Sequence, residues 1–225
     1  MPVTKALVGP NSDSIAIDPR RTVTDVSAAT LTAAVRRLQG VQHIPPNSDV
    51  RFASIPLAGS YLIRLDPHVD RRGMFARAFC SREFAAQGLE TNYVQSNISH
   101  NVKAGILRGL HYQRGPHAEV RLVRCIKGAI YDVIVDMREA SETYLSWFGV
   151  ELSETNGLMM YVPQGFAHGY QALSDDATAF YMVSAFYAPE AEGGLRYNDP
   201  RLQIVWPRSV TDISDKDAAW PLLPA

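Results

Sequence analysis

GLMMYVPQGFAHGY, residues 157–170, has the spacing G-x5-P-x-G-x2-H and closes that pattern on His168. Two apolar runs flank a Pro-Gln-Gly tripeptide. Proline presets φ for the first corner of a turn, and glycine accepts a left-handed backbone at little cost. The stretch therefore predicts a tight hairpin that aims His168 into the mouth of a β-barrel.

The residues on either side read the same way. From about residue 51 onward, short runs rich in Val, Ile, Tyr and Phe recur: SYLIRLDP, GMFARAFC, TNYVQSNIS, VRLVRCIKG, AIYDVIVDMR, WFGVELSE, GYQALS and TAFYMVSAFY. Gly, Pro, Asn and Ser separate them, in HVDRRG, KGA, ETNG and SDD. Many short strands at this spacing predict an all-β sandwich or barrel. SREFAAQG, 81–88, is the one helix expected among them. Residues 1–50 hold few aromatics and predict an N-terminal extension, partly helical or disordered, with one helix in AATLTAAVRRLQG ending at Gly40. IPPNSD follows as a linker. This divides the chain into 1–50, the extension, and 51–225, the barrel domain.

Composition narrows the class of function. The net charge is −1, with 22 basic and 23 acidic residues, so nothing global favours nucleic acid or an anionic membrane as partner. No apolar run approaches the roughly 18–20 residues of a membrane span, and the N-terminus lacks the apolar core of a secretory signal. The two cysteines, Cys80 and Cys125, form no CxxC pair. They read as small buried hydrophobes, with the cytoplasm as the expected location.

The chemistry is expected in GILRGLHYQ, 105–113. Together with 157–170 it resembles the two signatures of cupin β-barrels, which implies a jelly-roll, or double-stranded β-helix. Metal cupins supply an HxH pair in the first signature. Here the same place reads His111-Tyr112-Gln113. A neutral amide is a poor ligand for a divalent transition metal, so the site is expected to be metal-free and without cofactor. An imidazole at a barrel mouth can instead act as a general base near neutral pH. Arg108 and Arg121 lie close enough in sequence to converge on the same cavity. Burying two guanidinium groups without an anion would be unfavourable, which predicts an anionic ligand.

From Arg72 to Leu223 the chain resembles the dTDP-4-dehydrorhamnose 3,5-epimerases. The resemblance rests on RGMF (72–75), VQSNIS (94–99), LRGLHYQ (107–113), RLVRCIKG (121–128), YDVIVDMR (131–138), VPQGFAHGY (162–170), FYMVSAFY (180–187), NDP (198–200), IVWP (204–207) and SDKDAAWPLL (214–223), all in the family's order. It implies His111 as general base, Asp217 as the carboxylate that pairs with it, and Tyr181 as the donor that returns a proton to the opposite sugar face. Asp132 is a second carboxylate for the neighbourhood. Arg72, Gln95, Asn97, Arg108 and His168 match positions lining the sugar and diphosphate pocket. Phe75 and Tyr187 match aromatics near the base or sugar. The substrate implied is a nucleoside-diphosphate 4-keto-6-deoxy sugar. The assembly implied is a homodimer that exchanges an N-terminal strand, here SYLIRLDP (60–67).

Three departures bear on specificity. Arg121 stands where the family has the Lys beside the ketone oxygen. Arg77 replaces a usual Glu in RGMFAR. Glu119 replaces a common Gln, and can pair with either Arg77 or Arg121. All three are expected to line the substrate or reaction site. Two other readings share these residues: a sugar-nucleotide ketoisomerase, and a non-catalytic cupin that binds nucleotide sugars.

Overall fold

The structure, a computed structural model, describes residues 6–8 and 50–224. The helix expected before Gly40 and the IPPNSD linker lie outside them. The strands are β1 (Ala6–Val8), β2 (Val50–Ser54), β3 (Tyr61–Leu65), β4 (His68–Asp70), β5 (Gly73–Phe75), β6 (Gln95–Asn101), β7 (Leu107–Gln113), β8 (Arg121–Lys127), β9 (Ala129–Asp136), β10 (Trp147–Ser153), β11 (Leu158–Val162), β12 (Phe166–Ala172), β13 (Ala177–Val183) and β14 (Glu192–Gly194). Two short helices, α1 (Ser81–Ala86) and α2 (Asp215–Ala218), accompany them. The first lies within the helix expected at 81–88. Among the described residues no helix is long and apolar enough to cross a membrane.

Two six-stranded antiparallel sheets face each other as a jelly roll. One has the order β1-β10-β9-β12-β7-β14, the other β2-β3-β11-β8-β13-β6. Strand alternation sends one set of side chains between them and the other set outward. In β9, Ile130 and Ile134 enter the cluster between the sheets, with Val123, Phe148, Val150, Met160 and Phe166. Tyr131, Val133 and Val135 point the other way, under Leu195, Leu202 and Trp206 of the C-terminal segment. Both faces of the strand are therefore covered, and its sequence alternates only in part. The outer face of the second sheet is capped by Phe84 of α1 over Phe52, Ile63, Leu122 and Met159. Each fully buried Leu, Ile or Phe contributes about 1.5–3 kcal/mol.

The fold corrects one expectation. Pro163–Gly165 does not close a hairpin: β11 pairs with β3 and β8, whereas β12 pairs with β7 and β9. The turn is a corner that carries the chain from one sheet to the other. Arg138 braces it, with its guanidinium 4.6 Å from the Phe166 ring and bonded to buried Asp136. Asp136 also accepts from the hydroxyls of Ser141 and Thr143. β3, in SYLIRLDP, is hydrogen-bonded on both sides, to β2 and β11 of the same chain. A separate two-stranded sheet, β4 with β5, stands outside the sandwich.

Candidate active site

One end of the sandwich is polar. The inward positions there carry His111 on β7, Arg121 on β8, His168 on β12 and Tyr181 on β13. They line a cavity of about 550 Å³ together with Ser99, Arg108, Tyr170, Lys216 and Asp217. A second compartment of about 400 Å³ adjoins it, lined by Gln95, Asn97, Gln113, Glu119, Tyr187 and Glu192. His111, Arg121, Tyr181 and Lys216 border both.

His111 reaches this place through a close approach of β7 and β12. The register shifts between His168 and Tyr170. There the strands come so near that a Cβ on Gly169 would stand 2.6 Å from the Arg108 carbonyl oxygen. A Cβ on Gly109 would stand 2.6 Å from Gly169 Cα, and Gly109 has φ of +121°. Only glycine meets both conditions. Next to them, Asp217 Oδ2 accepts the Gly109 N–H at 3.0 Å, and Asp217 Oδ1 lies 2.6 Å from His111 Nε2. A carboxylate accepts, so Nε2 carries the proton and Nδ1 holds the lone pair of a base.

The C-terminal segment delivers Asp217. It runs beside Gly105–Leu107, bonding through Thr211 N–H and the Asp212 carbonyl. Ser214 then caps α2, its hydroxyl accepting the Asp217 N–H at 3.1 Å. Trp220 fills the space left by Gly194, the residue opposite His111 in register. Burial would raise the Asp217 carboxyl. The bonds from His111 and Gly109, with Lys216 nearby, outweigh it and hold the group below the usual carboxylate range. Asp217 therefore stays ionised and orients the His111 ring.

Arg121 lies in a chain of charged groups. Its Nε and Nη2 donate to Glu119 Oε1 at 2.9 and 2.5 Å, and its Nη1 donates to His168 Nδ1 at 3.2 Å. His168 Nε2 donates to Asp132 Oδ1 at 2.8 Å. Glu119 thus pairs with Arg121, while Arg77 lies 3.9 Å from Glu83. Gln113 bonds to the backbone of His117, Phe186 and Ala188.

The other expected residues divide by place. Gln95, Asn97 and Tyr187 border the second compartment. Arg108 borders the first, held by Asn101 Oδ1 at 2.9 Å and the His100 carbonyl at 3.2 Å. Arg108 is exposed, and Arg121 is neutralised by Glu119, so neither is the uncompensated buried cation from which an anion was expected. The bonds that hold Arg108 come from neutral oxygens. Arg72, Phe75 and Arg77 do not line either compartment. Arg72 is exposed and clasped by Asp70, and Phe75 is 67% exposed on the β4–β5 hairpin.

Lys216 and Glu192 join the site without a signal in the spacing. Lys216 Nζ donates to Glu192 Oε1 at 2.8 Å, and the Tyr187 hydroxyl donates to Glu192 Oε2 at 2.9 Å. The pair is 24 residues apart in sequence, brought together because β14 and α2 both lie against β7. Lys216 is adjacent to Asp217 in SDKDAA, which is the one clue the chain offered.

This geometry has relatives. The sequence profile described as dTDP-4-dehydrorhamnose 3,5-epimerase matches residues 54–225. The enzyme of that name from Methanothermobacter thermautotrophicus is 42% identical over 176 residues, spanning 77% of this chain and 94% of the relative. The crystal structure of dTDP-6-deoxy-D-glucose-3,5-epimerase RmlC from Legionella pneumophila, in complex with dTDP-4-keto-L-rhamnose, superposes with a TM-score of 0.73. It is 36% identical, over 77% of this chain and 92% of that one. ChmJ of Streptomyces bikiniensis, a 3'-monoepimerase in complex with dTDP-quinovose, is 32% identical with a TM-score of 0.70, over 74% and 84%. With a matching profile over three quarters of its length, and His111, Asp217 and Tyr181 set around one cavity, the chain belongs to the dTDP-4-dehydrorhamnose 3,5-epimerase family.

Proposed function

We propose that this enzyme is a cofactor-independent epimerase that inverts C3 and C5 of a dTDP-linked 4-keto-6-deoxy sugar. One observation carries the reading. His111, held by Asp217 of α2, stands on one sheet, and Tyr181 stands on the other, lining the same cavity. A sugar between them presents one face to a base and the other to an acid.

The ketone at C4 acidifies the hydrogens at C3 and C5. His111 Nδ1 takes one of these protons, and the C–H electron pair moves into the enolate. Tyr181 then gives its hydroxyl proton to the same carbon from the other face, which inverts it. The imidazolium and phenolate return to their starting states by proton exchange with solvent. Imidazole is a far weaker base than an enolate, and each pKa unit of mismatch costs about 1.4 kcal/mol. Arg121 offsets part of this: after its bonds to Glu119 and His168, each Nη nitrogen retains an N–H for the enolate oxygen. Arg108 suits the diphosphate, since its bonds to neutral groups leave its charge uncompensated.

Two copies complete the site in this reading. The hairpin holding Arg72 and Phe75 exposes Val69 (74%), Met74 (60%) and Phe75, and Ile98 is exposed on edge strand β6. Apolar surface of this kind favours association, and a second copy of the hairpin would bring Arg72 and Phe75 to the nucleotide. The catalytic unit is 51–225, with 1–50 an extension. The free thiols Cys80 and Cys125 suit a reducing cytoplasm.

Incubation with dTDP-4-keto-6-deoxyglucose in heavy water tests the reaction. Deuterium is expected at C3 and C5 of the product. Tyr181→Phe is expected to keep exchange at the carbon His111 deprotonates while losing most inversion. Absence of label at both carbons, with folded protein and bound nucleotide, would overturn the reading. Label at C3 alone would assign the single-centre reaction instead.

A further inference from the structure

Glu119 and Arg121 depart from the residues usual in this family, and the structure places them in one chain with His168 and Asp132. Arginine cannot accept a hydrogen bond. The contact of 3.2 Å between Arg121 Nη1 and His168 Nδ1 therefore requires a lone pair on Nδ1. The contact of 2.8 Å to Asp132 then takes the proton on Nε2. Both ring nitrogens of His168 are thereby engaged by protein groups.

We infer that Glu119 is a positioning residue: by holding Nε and Nη2 of Arg121 it commits Nη1 to His168, fixes His168 as the neutral Nε2–H tautomer, and leaves His111 as the imidazole that takes a proton.

The groups around His168 agree with this division. Arg121 of β8 faces its Nδ1, and Asp132 of β9 faces its Nε2. His111 of β7 is its register partner, and Tyr181 of β13 lines the same cavity. His111, by contrast, has Asp217 on Nε2 and is partly exposed. Two neighbouring imidazoles with opposite partners are thereby set to different tasks. Glu119 is also held from its other side, half-buried beside Gln113, whose Nε2 lies 3.4 Å from its second oxygen.

This inference deepens the epimerase reading, but its first test needs no substrate. Nitrogen-15 NMR of histidine-labelled protein near neutral pH reports the tautomer ring by ring. His168, assigned by its loss in His168→Asn, is expected to be a single Nε2–H tautomer whose Nδ1 accepts a hydrogen bond. In Glu119→Gln, that single tautomer is expected to be lost, and Glu119→Asp is expected to restore part of the wild-type spectrum. An Nδ1–H tautomer of His168 in the wild-type protein, or an unchanged His168 in a folded Glu119→Gln, would overturn the assignment. If Glu119→Gln does not fold, the wild-type spectrum alone decides. With turnover established, Glu119→Gln is expected to lower kcat by about 10-fold or more with KM within about twofold, as for an interaction used in the transition state. A change confined to KM would make Glu119 a substrate contact and overturn the inference.

Discussion

Asp217 performs three tasks, two of them with its carboxylate oxygens. Oδ1 fixes the His111 tautomer, Oδ2 holds the Gly109 N–H where β7 passes β12, and its own N–H closes the Ser214 cap. Asp217→Asn keeps the size of the side chain but adds an N–H where only acceptors fit. It is expected to lower kcat by on the order of 10²–10⁴-fold, the usual range for a general base and its support, with dTDP binding within a few-fold. Stability should follow the same carboxylate. Its bonds hold the folded value below the unfolded one, so its contribution is present above the ordinary carboxylate range and is lost as pH falls through the lowered value. Urea unfolding at several pH values should show the wild type ahead by about 1–3 kcal/mol near neutrality. The gap should narrow below about pH 4. An undiminished gap at low pH would mean that the ionised carboxylate is not what stabilises this corner.

At the scale of elements, the glycines at the β7–β12 crossing make the base possible. Gly169→Ala would put a methyl 2.6 Å from the Arg108 carbonyl oxygen, which is backbone and cannot swing away. The strands would have to separate, at about 1–3 kcal/mol as in other overpacked sites. His111, two residues from Gly109, would move with β7. A lower urea midpoint together with reduced kcat is expected, and an unchanged midpoint would show that the crossing has slack. Sequence made the strands legible, because Val, Ile, Tyr and Phe runs broken by Gly and Pro have few other folds. It made the role of Pro163–Gly165 only half legible. A tight turn was evident, but whether it joins paired strands or two sheets depends on which strand lies beside each, and local residues do not encode that. The same limit hid β14 and the Glu192–Lys216 bridge, whose partners meet only after the C-terminal segment has crossed β7.

For the whole molecule, Arg72 and Phe75 pose the sharpest question. The resemblance placed them at the substrate, and the fold places them on the exposed β4–β5 hairpin, away from the cavity of their own chain. A motif says which residues meet a ligand, but it is silent on which copy of the chain supplies them. If a second copy does, each site joins His111 of one protomer to the hairpin of its partner. Arg72→Ala combined with Phe75→Ala would then damage the partner's site, and His111→Ala its own. Each variant alone is expected to be nearly inactive as a homodimer. Mixed after dissociation, about half of the dimers formed at random are hybrids, and one of the two sites in each hybrid is intact, so about a quarter of wild-type activity should return. Dimer mass by sedimentation confirms that subunits have exchanged. Exchange without recovered activity would assign the hairpin to its own chain's site, or to none, and would remove the reason for reading its exposed apolar side chains as part of the catalytic assembly.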